Sequence, residues 1–135
     1  MVAQSNKRGY DTYQRQNIMT ASAGELTLML YDGALKFLRS ARLSIESKDI
    51  EKAHEYFTRA EAVVEELMQS LDMNYDISKQ LFPLYEFINL TIIEANISKN
   101  AEKADIAIEL LGEIRDTWNQ AIKINRQKQF AEGAY

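Results

Sequence analysis

Between Ser22 and Gln127 the apolar residues return at spacings of three and four in four successive stretches, with no strand-like alternation competing. That periodicity restricts the chain to an all-α fold. In the first stretch Leu26, Met29, Leu30, Gly33, Ala34, Phe37, Leu38, Ala41 and Ile45 mark the inner side of a helix over 22–47. Ser22 followed by Glu25 reads as a capping box that satisfies free N–H groups at its start. A second helix, 50–72, opens after the cap residue Asp49 and turns Ala53, Phe57, Ala60, Val64, Leu67 and Leu71 inward. Its other face, with Glu51, Glu55, Arg59, Glu65 and Glu66, suits water.

Asp72, Asn74 and Asp76 favour a turn, after which Leu81, Leu84, Tyr85, Ile88, Ile92 and Ala95 form the core stripe of a third helix, 77–99. Pro83, the only proline, allows two readings: the helix proper begins near Phe82, or an earlier turn is kinked at Pro83. Asn100 caps a fourth helix, 101–127, with Ala104, Ala107, Leu111, Ile114, Trp118 and Ala121 facing in. Helices of about 20–26 residues joined by short links pack as antiparallel neighbours. The expected architecture is an antiparallel up-down four-helix bundle. Residues 1–21 form an extended N-terminal arm and 128–135 a flexible tail.

A chain of 135 residues can bury a core without staples, and having no cysteine it has no disulfide framework and no thiolate site. The opening MVAQSNKRGYDTYQRQ lacks the apolar centre of a signal peptide, and no run of about 18 apolar residues could cross a bilayer. A soluble, cytoplasmic protein without membrane insertion is expected. The net charge of −4 is unevenly placed. Lys7, Arg8 and Arg15 make the arm basic, and Lys123, Arg126 and Lys128 do the same for the other end, so the body between is acidic. An acidic body repels phosphate backbones, so nucleic acid is not an expected partner.

Chemistry is equally sparse. Glu51-Lys52-Ala53-His54 matches one Glu-x-x-His step of a di-iron bundle, but such a site needs two steps and His54 is the only histidine. Met29, Met68 and Met73 suit gap-filling better than haem ligation. The five glycines are too scattered for a phosphate loop, and Gly33 reads as a place of close helix approach. No cofactor, metal or enzyme activity is expected.

Two helices carry more apolar surface than one core needs. Phe87, Leu90, Ile93 and Ile97 form a band off the third helix's stripe, and Leu28, Tyr31 and Leu35 do likewise on the first. The arm, the tail, a second copy or another protein could cover these bands, or the two helices could be slightly rotated and bury more.

The segments YQRQNIMTASAGELTLMLYDGALKFLRSA (13–41), ELMQSLD (66–72), LYEFINL (84–90), EANISKN (94–100) and LLGEIRDTW (110–118) together resemble the flagellar secretion chaperone family FliS. The resemblance spans nearly the whole chain and departs at MNYDIS and Pro83, where the family has a glycine-containing turn. It implies a four-helix bundle that binds the disordered C-terminal segment of flagellin, prevents premature polymerisation and passes the client to a flagellar export gate component. It also implies an arm that lies over part of the client groove, with Tyr10, Tyr13 and Ile18 as the covering residues. Candidate client contacts are Tyr31, Phe87, Leu90, Ile93 and Ile97, with Asn96 serving a client backbone group. Trp118 reads as core. The rival reading is a self-associating structural bundle, a homodimer that joins the extra bands; a metal-binding bundle ranks behind it.

Overall fold

The computed structural model describes residues 22–133. Four helices follow one another: α1 Ala23–Glu46, α2 Ile50–Gln69, α3 Asp76–Ser98 and α4 Ala101–Gly133. Each packs on its chain neighbours, and α4 closes the square against α1, which is the up-down arrangement that short connections impose. The diagonal pair, α1 and α3, meets chiefly through side chains at the centre of the bundle.

Local chemistry explains the helix ends. Ser22 Oγ accepts from Glu25 N at 3.2 Å, while the Glu25 carboxylate is engaged by Arg126 of α4. Asp49 Oδ1 accepts from Lys52 N at 3.1 Å, and Asn100 Oδ1 accepts from Glu102 N at 2.9 Å and Lys103 N at 3.2 Å. α1 and α3 both end on a lysine in the left-handed region, Lys48 at φ 61° and Lys99 at φ 50°, a conformation that usually favours glycine. Before α3, Asn74 N donates to Asp72 Oδ1 at 3.0 Å and sets the turn.

α3 begins at Asp76 and runs through Pro83, so the helix does not wait for Phe82. The missing proline N–H leaves the Lys79 carbonyl without its helical donor, tolerable because this part of α3 faces water. α4 is longer than expected and continues past 127 to Gly133, through a stretch with no earlier glycine or proline to stop it.

Ala34, Leu38 and Ala41 of α1, Phe57, Ala60 and Val64 of α2, Ile88, Ile92 and Ala95 of α3, and Ala104, Ala107 and Leu111 of α4 are buried together. Alanines let the helix axes approach; the larger residues fill the layers between them. Several inner-stripe expectations shift. Leu26, Met29 and Leu84 are exposed, because Tyr31 and Tyr85 take the central positions of their helices and turn these neighbours to the flanks; Ala121 of α4 is exposed as well. Gly33 does not mark close approach, since a Cβ there would meet nothing within 4 Å. The close contact is at Gly24, whose added Cβ would lie 3.4 Å from Ile122 Cγ1.

Candidate client-binding surface

The bundle's centre fixes the surface above it. Tyr31 of α1 and Tyr85 of α3 are both buried and share a short hydroxyl–hydroxyl hydrogen bond across the diagonal. Burial raises the pKa of each phenol; the shared bond raises Tyr31 further and opposes the rise at Tyr85. Both remain neutral, so the pair is a structural tie. Tyr31 is therefore corrected from a client contact to a core residue. Leu35 is likewise buried, so the extra apolar band expected on α1 is largely core.

Trp118 stands edge-on to Tyr31, with ring centroids 6.2 Å apart at 67°. Its Nε1 donates to the Gly24 carbonyl at 2.9 Å, fixing the first turn of α1 to α4. The outer edge of the indole is a wall of an apolar cavity of about 400 Å³ between α3 and α4, with Ile77, Leu81, Ile114 and Ala121 as the other sides. A smaller cavity of about 130 Å³ adjoins it under Thr27, Leu71 and Tyr85 and shares Ile77, Leu81 and Trp118. Trp118 is half-buried; the inner-stripe reading caught its inward contacts and missed the cavity.

On α3 itself the expected outer band is open to solvent. Phe87 and Leu90 are each 53% exposed and Ile97 81%, whereas Ile93 is half-buried. Leu84, 47% exposed, extends the band one turn toward the cavity. Across the α3–α4 seam, where Lys103 Nζ lies 3.5 Å from Glu94 Oε2, Ile106 adds another exposed apolar residue. Sequence reading placed Leu84 inside and did not single out Ile106; the signal for Ile106 was its position off the Ala104–Ala107–Leu111 line.

Asn96 is the second correction. It is 8% exposed and already engaged: its Nδ2 donates to His54 Nδ1 at 3.1 Å, and its Oδ1 accepts from Lys99 Nζ at 2.6 Å. The Lys99 bond assigns the amide orientation, because an ammonium can only donate. Asn96 joins α2, α3 and the α3 terminus, and its side chain is almost wholly buried within those contacts. Among the described residues no group of three His, Cys, Asp or Glu side chains could hold a metal. Tyr10, Tyr13 and Ile18 lie outside the described residues.

The described residues form a square bundle with an apolar cavity and an exposed apolar ridge on one helix. The sequence matches the family described as Flagellar protein FliS over residues 6–125. The chain belongs to the FliS family. It is 34% identical over 124 residues to the Flagellar secretion chaperone FliS of Bacillus subtilis strain 168, covering 92% of this chain and 93% of that one. It is 30% identical to the Salmonella typhimurium protein of the same name, over 76% of this chain and 78% of the relative. A solved structure described as a flagellar chaperone from bacteria superposes with a TM-score of 0.70 at 21% identity, covering 87% of this chain and 98% of that chain. The four-helix architecture is thus that of a FliS fold. In this FliS member the MNYDIS segment, with Asp72 before it, supplies the turn at Asp72–Asn74 and the first turn of α3.

Proposed function

We propose that this chaperone binds the C-terminal segment of flagellin in the cytoplasm, keeps it from polymerising, and delivers it to a component of the flagellar export gate. The observation that carries the reading is the open apolar ridge of α3. Leu84, Phe87, Leu90 and Ile97 project at helical spacing with no cover among the described residues, beside a cavity deep enough to take apolar side chains. Such a surface suits helix-in-groove recognition, in which a client folds an apolar face onto the ridge as it binds. Relatives bearing the name Flagellar secretion chaperone support the choice of client class.

The arm would regulate access. It joins the bundle at Ser22, two residues before the Gly24 carbonyl that Trp118 holds, and so begins beside the cavity wall. Tyr10, Tyr13 and Ile18 would cover apolar surface until the client takes their place, a competition decided by relative affinity. Deleting residues 1–16 then raises binding of a hydrophobic dye and alters client affinity; no change in either would refute the cap.

The function is tested by seeded polymerisation of flagellin from the same organism. Equimolar chaperone should stop filament extension, and Phe87→Asp should restore it. Extension that proceeds unchanged at equimolar and excess chaperone contradicts the reading.

A further inference from the structure

Hydroxyl side chains inside these helices spend their protons one turn back. Thr27 Oγ1 donates to the Ala23 carbonyl at 3.2 Å, Ser44 Oγ to Ser40 at 2.9 Å, Thr91 Oγ1 to Phe87 at 2.8 Å and Ser98 Oγ to Glu94 at 2.8 Å. Ser78 has no such carbonyl behind it. It stands in the first turn of α3, where the chain four residues back, at Asn74, is still turn. The residue is 5% exposed, yet its hydroxyl makes no hydrogen bond with any described residue. A buried hydroxyl left unpaired destabilises a fold, and native proteins carry few of them.

Ser78 lines the cavity of about 130 Å³ at the end of the bundle where the four helices meet, together with Thr27, Ser70 and Asp72. The polar chemistry there is one-sided. Thr27 has given its proton to Ala23, and Ser70 Oγ gives its own to the Leu67 carbonyl at 2.8 Å, so both present lone pairs only. The Asp72 carboxylate accepts from Asn74 N and has no ion-pair partner among the described residues. α2 ends at Gln69 and brings the negative end of its dipole to the same place; the positive start of α3 opposes it and carries Asp76 in its first turn. The Tyr85 hydroxyl is taken by Tyr31. The walls shared with the larger cavity of about 400 Å³, from Ile77, Leu81 and Trp118, are apolar. The combination is an apolar approach that ends in acceptors with no donor to meet them.

We infer that the two adjoining cavities form a subsite for one lysine or arginine side chain of the client, its stem on Ile77, Leu81 and Trp118 and its charged head on Asp72 and Ser78. The inference rests on the flagellin-segment reading above and names a residue that the segment must carry. An apolar side chain fills the larger cavity and leaves Ser78 unpaired. A neutral hydroxyl satisfies Ser78 and leaves the Asp72 charge unanswered. A cation answers both, because its several N–H groups reach more than one acceptor, and its methylene stem suits the apolar approach. One fixed charge also sets the register of a helix that apolar contacts on the α3 ridge alone would let slide.

The test uses the full-length chaperone and a synthetic peptide of the flagellin C-terminal segment, with each peptide lysine and arginine replaced in turn by methionine, which keeps an apolar stem and removes the charge. One replacement should weaken binding by about tenfold, and that loss should shrink below twofold when the chaperone carries Asp72→Asn, a change that retains the acceptor for Asn74. Ser78→Ala supplies an independent sign. It should not lower Tm, because the hydroxyl has no partner in the fold, and it should weaken the unaltered peptide by about threefold. If no single replacement changes affinity beyond twofold, or if Ser78→Ala lowers Tm with peptide binding intact, the subsite is refuted and the client reading stands. If Asp72→Asn and Ser78→Ala tighten the peptide, the cavity holds a cation of the chain's own arm, Lys7, Arg8 or Arg15, and the client subsite is again refuted. If the unaltered chaperone does not bind the peptide at all, the client reading falls and the subsite with it.

Discussion

Trp118 Nε1 donates to the carbonyl of Gly24 at 2.9 Å, so the only tryptophan is bonded to the first turn of the helix from which the arm departs. The same indole packs against Tyr31 and forms the wall of the largely apolar cavity between α3 and α4. One side chain thus links the core, the cavity and the base of the arm.

Trp118→Phe keeps a ring in place and removes the donor. It should lower unfolding free energy by about 1 kcal/mol, the net worth of such a bond, read by urea denaturation. In the unaltered protein, tryptophan emission should shift blue when a client side chain enters the cavity, because the exposed edge of the indole is then dried. Emission unchanged at saturating client would mean that the client passes the cavity by.

Phe87→Asp, Leu90→Asp and Ile97→Asp each place a charge on the open ridge of α3. Because these side chains are more than half exposed, Tm should move little. Client affinity should fall by more than tenfold for Phe87 and Leu90, measured by calorimetry. The aspartates test the surface without testing the core.

Gly33→Ala should stabilise the protein by about 1 kcal/mol, since alanine is the better helix former and its methyl group meets nothing within 4 Å. Lys48→Gly should also stabilise, by relieving the left-handed strain at the end of α1. Thermal denaturation of both variants checks that each raises Tm.

The tyrosine pair predicts an alkaline limit. Both folded-state pKa values lie above the ordinary phenol value of about 10, so above that pH the unfolded chain loses protons that the folded one keeps. Stability contributed by the pair is complete below about pH 10 and declines as pH rises further. Tyr31→Phe strands the Tyr85 hydroxyl and should cost about 1–3 kcal/mol, whereas changing both to Phe should cost less than the single change.

The fold was legible because a period of three and four residues is a direct consequence of helical geometry. Phe57, Ala60 and Val64, or Ile88, Ile92 and Ala95, could be assigned inward without any knowledge of their neighbours. Tyr31 was misplaced among outward residues although it lies seven before Leu38 and so on the same line; the polar hydroxyl and the surplus of apolar residues on α1 obscured that. Asn96 looked available because a sequence cannot show that His54, on another helix, already meets its amide; the Lys99 contact, three residues on, is a local one. Phe87, Leu90 and Ile97 were found as an off-stripe band, and their exposure agrees with that placement. The cavity had no local signature, because its walls come from α3 and α4 in a relation that only packing defines. The left-handed lysines were equally hidden, for nothing in a lysine announces a positive φ.

The central claim is that the ridge and cavity hold a disordered flagellin segment and fold it. Titrating the chaperone with the C-terminal segment of its organism's flagellin, followed by circular dichroism, tests this directly. The account predicts saturable binding, micromolar or tighter, with a gain in helicity beyond the sum of the separate components and a marked loss of affinity in Phe87→Asp. A signal that stays additive across the titration, with no heat of binding, would contradict it.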